Sequence, residues 1–598
     1  MRTLQNQVLQ LLALIGGFLY VANAYAISSI SIEIGSLDSP ATQARNIKLD
    51  YRLGHALKLK GQLKSADDKE WGDASLSCAA FTNPKPGTWS CDGGSLSTAR
   101  IKLPFSLAIT AQKPQLSADL SFNEASFSDV SGLHAGEKVT GKVSIRATQE
   151  ASLWRWNTAI DWASGEVFWQ PFYFASGGHQ LQASGQLDQQ FLTIDNASLN
   201  LKNVGQMTAS GQLRLSDKKF ESLSLVAPSL DLATLYPLLL KPLLEKTSLN
   251  NLEMAGDVGL NLTMKDAELD AFQLQLNNAD IEDKNGRFAL YKLNANIPWD
   301  FDEAKTVKLS YQGGHLLHIP LGVTNLTADL NRYALTAPQL KMPILDGALN
   351  LSDVSAARVA GDWHWHLRAN LAPITMSELS HALGWPRLQG KVSASIPLVT
   401  YTDGQLTTDG AMQFNVFDGT ATVTNLTMQE PLGIAPRLSA NMQLRNLDLG
   451  ELTRTFSFGA IEGKLDGNVS NLQLANWQPV NFDASVQSSP GRYPKKISQR
   501  AVENISALGG AGAAAAIQRS FLRFFKEFNY DKLGLSCRLR NDICQMDGVE
   551  STSQGYIIVK GSGIPSITVM GYNHSVSWGE LLSRIKRITD SNTKPVIN

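Results

Sequence analysis

One phrase returns throughout this chain: a glycine one or two residues from a Leu or Val, set among alternating apolar and polar residues. It reads Leu59-Lys60-Gly61-Gln62-Leu63, then Ala183-Ser184-Gly185-Gln186-Leu187 and Ala209-Ser210-Gly211-Gln212-Leu213. Later copies are Leu345-Asp346-Gly347-Ala348-Leu349, Leu388-Gln389-Gly390-Lys391-Val392 and Ile461-Glu462-Gly463-Lys464-Leu465. Alternation with period two sends successive side chains to opposite faces of a strand. Units repeated over hundreds of residues bury their apolar faces only by stacking on neighbours. The expectation is therefore a mainly β fold: an elongated, twisted antiparallel groove built from repeats, with a few short helices and a C-terminal helical element. A ribbon with one apolar face suits a long, greasy ligand better than it suits a catalytic pocket.

At 598 residues the chain exceeds a single conventional core. Its 53 Lys and Arg against 54 Asp and Glu leave a net charge of −1, which gives no basic face for nucleic acid. The segments expected are 1–26 (signal peptide), 27–177 (N-terminal β segment with a hairpin disulfide), 178–490 (repeating groove), 491–530 (amphipathic helical segment) and 531–598 (C-terminal β segment, terminal helix and tail). The leader is read from Arg2, the short apolar stretch Val8 to Val21, and the small-x-small site Ala24-Tyr25-Ala26. Its rival is an uncleaved anchor, although the stretch is shorter than the ~20 residues a span needs.

Cys78 and Cys91 flank one turn, and Cys537 and Cys544 another. An even count in an exported chain points to two disulfides, each stapling a hairpin; zinc is the competing reading, without a Cys-x-x-Cys to support it. Helical spacing predicts short helices over Leu232 to Leu244, over Met376 to Leu383, and opening near Asp448-Leu449-Gly450-Glu451-Leu452. Each is followed by a glycine strand, so a strand–helix–strand unit recurs at least three times. From 495 to 528, Ile497, Ala501, Ile505 and Leu508 lie on one helical face, and Ala513 to Phe528 continues beyond a glycine break. There Arg519, Phe521, Arg523, Phe524 and Phe525 mix cations with large apolar groups, as a membrane-contact element would. Packing on the end of the sheet is the plainer account of the same residues.

No catalytic constellation is visible: no nucleophile elbow, phosphate-binding loop or His-Glu-x-x-His. His364 and His366, or His315 and His318, could share a strand face but lack a third metal ligand in sequence. The expectation is a non-enzyme with no metal and no cofactor. Asn-x-Thr triplets at Asn261, Asn325 and Asn425 fit sequons, but they also recur within the repeat phrase.

Phe417-Asp418-Gly419, Asn446-Leu447-Asp448-Leu449, Phe456-Ser457-Phe458-Gly459, Leu465-Asp466-Gly467 and Asn476-Trp477-Gln478-Pro479-Val480 resemble the AsmA-like group of bacterial envelope proteins. Ile497-Ser498-Gln499-Arg500-Ala501-Val502, Leu533-Gly534-Leu535-Ser536-Cys537 and Gly563-Ile564-Pro565 are similar to its YdbH branch, with TamB more distant. The resemblance covers roughly 150–590. It implies a periplasmic β-groove that carries phospholipid between inner and outer membranes, in contact with a membrane surface and with inner- or outer-membrane proteins. Leu213, Leu349 and Val423 are the groove candidates. A non-enzymatic scaffold or outer-membrane assembly factor is the alternative, and a polysaccharide enzyme with two facing carboxylates a third class.

Overall fold

The computed structural model describes residues 29–38, 42–52, 56–65, 70–247, 249–383, 390–431, 435–456, 458–509 and 524–590. The leader, the Leu388-Gln389 start of one glycine phrase, and Ala513 to Arg523 of the amphipathic stretch lie outside the described residues. The chain is mainly β and antiparallel, with short helices between strands and a helix near its C-terminal end. It divides into two compact units. One runs to Asn285 and takes in Asn294–Phe301; the other is Gly286–Leu293 with Asp302 onward.

In the first unit, fifteen long strands follow one another from Ser29–Asp38 to Glu268–Asp283. Each pairs with the next in chain order. At ~4.8 Å between neighbours this makes a ribbon roughly 65 Å across its strands. In the second unit the meander runs from Ala334–Ile344 through Gly347–Val359, Asp362–Thr375 and Lys391–Thr402. Two short strands, Gln405–Asp409 and Met412–Val416, together bridge Lys391–Thr402 to Gly419–Gln429. Arg437–Asp448, Lys464–Ala475, Gln478–Ser488, Glu527–Arg540 and Ile543–Gly548 continue it.

Strict alternation fails where the sequence places two residues, rather than one, between apolar positions. A one-residue slip would turn every later side chain to the wrong face. Bulges absorb the surplus residue: Asn46 between Ala44 and Ile47, Glu124 between Phe122 and Ala125, Asn446 between Leu444 and Leu447. All three adopt left-handed φ, at 54°, 51° and 56°. The amide freed from the ladder is taken up by a neighbouring strand's side chain. Glu124 N–H donates to Thr140 Oγ1 (3.1 Å), Asn446 N–H to Asp466 Oδ1 (2.9 Å) and Asn471 N–H to Asn441 Oδ1 (2.9 Å). Asn425 of the third Asn-x-Thr triplet is such a bulge residue, with φ 53°, whereas Asn261 and Asn325 sit in regular ladder positions. The phrase glycines Gly185 and Gly211 serve the same bending. A Cβ on either would run into a neighbouring carbonyl oxygen, of Thr193 and Ser222 respectively.

Among the described residues the strand–helix–strand unit is present three times. A glycine opens a strand (Gly205, Gly347, Gly419) and lies under a buried residue of a later one (Leu230, Ile374, Leu447). Two residues on, a second buried side chain starts a helix: Leu232, Met376 and Leu449. Asp231 caps the first helix by accepting Thr234 N–H at 2.9 Å, and Asp448 the third by accepting Glu451 N–H at 2.9 Å. The first helix is Leu232–Leu235, followed by a wider turn at Tyr236–Leu240 and a short Lys241–Leu243. Pro237 and Pro242 lack the N–H groups that a regular run would need there. The second helix is Met376–Ala382 and the third Leu449–Thr455. Asp448→Ala is expected to cost about 1 kcal/mol of stability, read as a lower midpoint in urea denaturation.

Both disulfides are hairpin staples. Cys78–Cys91 joins Gly72–Thr82 to Thr88–Ser97 with 5.6 Å between Cα atoms. Cys537–Cys544 joins Glu527–Arg540 to Ile543–Gly548 with 5.4 Å. Such bonds fit an oxidising compartment. Among the described residues, no helix is long and apolar enough to cross a membrane.

Candidate functional site: an apolar face without a cover

Direct cross-strand partners share a face, so the register traces rows of side chains across each unit. In the first unit one row runs Trp89–Ile109–Ala118–Ile145–Thr158–Ala183–Ala197–Ala209–Leu225–Leu262–Phe272. A parallel row runs Phe81–Cys91–Leu107–Leu120–Val143–Ile160–Leu181–Leu199–Met207. A third runs Leu116–Ala147–Trp156–Gly185–Ile194–Gly211–Leu223–Met264. None of the three contains an Asp, Glu, Lys or Arg. In an ordinary two-layer domain such a face is buried against a second layer. Here no residue of the first row is fully buried, and Ile145 is 42% exposed. Leu107 through Met207 of the second row are likewise half-buried. An apolar face left this open is the candidate site of the first unit.

The second unit repeats the arrangement. One row is Met342–Leu349–Leu371–Ala394–Phe414–Ala421–Leu444–Gly467–Val486–Leu535–Gly548. Another is Leu335–Ala356–Trp365–Tyr401–Leu406–Met428–Leu438–Leu474. Trp365 stacks on Tyr401 with ring centres 5.4 Å apart. Leu213 lies on the apolar face of the first unit, opposite Leu192. Leu349 and Val423 lie on that of the second, opposite Leu371 and Met442. All three are half-buried.

The face of the second unit does not stay open to its end. Leu444, Val486, Leu535 and Cys537 are packed against a core that includes Ile497, Val502, Phe528, Tyr530, Tyr556, Val559 and Val569. This cover is made by the helix Gln499–Gly509, the strands Gly555–Gly561 and Val569–Gly571, and the start of the helix Trp578–Asp590. The cover corrects one expectation. The helical spacing predicts Phe528 in the amphipathic helix, yet it sits in the strand Glu527–Arg540 at 1% exposure. Phe528 and Tyr530 point inward at period two, and that alternation overrides the helical spacing before it. Of the membrane-contact candidates, Arg519, Phe521 and Arg523 lie outside the described residues. Phe525 packs against this core, and Phe524 is 74% exposed.

The aromatic-rich stretch 154–174 packs strand against strand. Trp162 and Phe174 meet at 5.7 Å between ring centres, with His179 at 5.0 Å and 5.5 Å from them. His179 ends a row of the apolar face, opposite Trp162. Lys202 N–H donates to its Nδ1 (3.1 Å) and its Nε2 lies 3.0 Å from the Ser176 carbonyl oxygen, so the ring is held neutral with its proton on Nε2. Burial, first among the causes, holds its pKa below the ordinary 6.5. The unfolded chain then takes up the proton first, so the stabilisation is complete above 6.5 and is lost as pH falls from there through the lower folded-state pKa. Thermal melts at neutral and mildly acidic pH are expected to show a larger fall for the wild type than for His179→Gln. His364 and His366 face Ala357 and Ser355 across the ladder, and no cluster of three or more metal-binding side chains occurs among the described residues.

No family model matches this sequence, and no curated protein matches it.

Proposed function

We propose that this protein is a non-enzymatic carrier of phospholipid, in which acyl chains lie against the apolar rows and headgroups stay in water beyond the strand ends. The observation that supports this reading is the combination of uncharged rows with incomplete burial in each unit. Each methylene kept from water is worth ~0.8 kcal/mol, so a lipid tail gains from every row it touches. With no nucleotide-binding motif in the chain, movement is passive sliding, its direction set by partners. The two disulfides, which fit an oxidising compartment, and the resemblance to AsmA-like proteins support a reading in which this activity lies in the periplasm, between inner and outer membranes. A scaffold whose face is covered by a protein partner is the rival.

Dequenching of a fluorescent phospholipid between donor and acceptor vesicles tests the proposal. Purified protein is expected to raise the transfer rate in proportion to its concentration. A rate equal to that of vesicles alone, together with purified protein free of bound phospholipid, would favour the scaffold.

A further inference from the structure

In the second unit, the helices Met376–Ala382 and Leu449–Thr455 occupy strand ends along one edge. The other edge is built of tight hairpins. Arg332-Tyr333, Ala360-Gly361, Asp403-Gly404 and Asn476-Trp477 each join two strands by two residues. Ladder partners Gln405, Gln429, Arg437 and Ala475 carry the same edge from the third of these turns to the fourth. Tyr333 is 63% exposed, Trp363 56% and Trp477 59%, more than any other Tyr or Trp among the described residues. All three stand on this one edge. The strands between Tyr333 and Trp477 span roughly 35 Å at ~4.8 Å per step.

Trp363 also extends the apolar face. It lies two residues from Trp365, hence on the same side of the strand, and opposite Arg358. Trp365 belongs to an apolar row and stacks on Tyr401. A phospholipid whose tails lie along such rows therefore brings its headgroup to water at a strand edge of this kind. Rings with an apolar body and a polar N–H or O–H settle where hydrocarbon gives way to headgroups. A protein partner wants its aromatic anchors gathered at the centre of one patch, and these three are strung along successive turns. Charge decides which membrane suits them. Along this edge Arg332, Arg358 and Arg437 are matched by Asp362, Asp403 and Glu430, which leaves no net attraction for anionic lipid.

We propose that this edge docks on the surface of a zwitterionic bilayer through Tyr333, Trp363 and Trp477, so that lipid crosses the strand ends between the bilayer and the apolar face. The crossing, though not the docking, rests on the carrier reading. Flotation of the full chain with vesicles of phosphatidylcholine and phosphatidylethanolamine tests it, and thermal melts establish that each variant is folded. The wild type is expected to float with the vesicles equally well at about 0.1 M and about 0.5 M salt, since rings, unlike exposed charges, are not screened. Tyr333→Ser, Trp363→Ser and Trp477→Ser together are expected to lower the partition coefficient by roughly tenfold or more. Phe456→Ser, at the end of a helix on the other edge, should leave it unchanged. Flotation that depends on the three rings, in a protein that carries no phospholipid through purification, would uphold the docking edge and count against the carrier. No flotation of the wild type, flotation lost at the higher salt, or flotation undiminished in the folded triple variant would overturn the proposal.

Discussion

Ile160→Glu is expected to abolish phospholipid transfer while leaving the protein folded. Ile160 sits in the middle of an apolar row, between Val143 and Leu181, with no charged side chain along that row to neutralise a carboxylate. A tail sliding past it must strip water from the charge, and each unpaired ion moved into apolar surroundings costs several kcal/mol. At about 1.4 kcal/mol per factor of ten, the transfer rate should fall by a hundredfold or more. Folding is spared because Ile160 is only half-buried, so the new carboxylate keeps its water when no lipid is bound. Asn157→Glu puts the same charge on the same strand but on the other face, opposite Arg146 and Ser184. It is expected to transfer lipid at the wild-type rate. Equal rates for both variants would show that the face is not the path.

Phe528→Ala has the largest expected effect on stability. Phe528 is buried at the centre of the C-terminal cover, in the strand that also carries Tyr530 and Leu533. Removing a buried phenyl ring costs about 3–5 kcal/mol, of which the cavity left behind is a large part. Hydrogen exchange should therefore speed up by roughly 10²- to 10³-fold at amides around Ile497 to Ile505 and Tyr556 to Val559. Amides of the first unit, such as those of His134–Glu150, should exchange as in the wild type. Acceleration confined to the termini of these elements would mean that the cover is not a cooperative core.

The alternation of Leu, Ile, Val and Ala with Ser, Thr, Asn and Gln was legible in the sequence because a strand's period is two and nothing else is needed to read it. The three short helices were legible from the helical spacing of their apolar residues, which interrupts that alternation. The bulges were not. They depend on one surplus residue, and Asn46, Glu124 or Asn446 looks like any polar strand residue until the partner strand fixes the register. The signal that could have found them is an apolar pair spaced by three instead of two, as in Phe122 and Ala125. The helix of the cover over the second unit was legible as packing on the end of the sheet, but the strands that complete the cover were not joined to it. The cover is assembled from segments far apart in sequence, and the helical spacing from Ile497 onward masked the return to strand at Glu527. His179 gave no warning either, because its two hydrogen-bond partners, Lys202 and Ser176, are both backbone groups.

The most direct measurement is photo-crosslinking in cells from probes at Leu213, Leu349 and Val423, with a probe at Ser198 on the polar face as reference. The account predicts adducts with phospholipid at all three apolar positions and none at Ser198. Adducts with protein alone, or equal lipid labelling from Ser198, would contradict it.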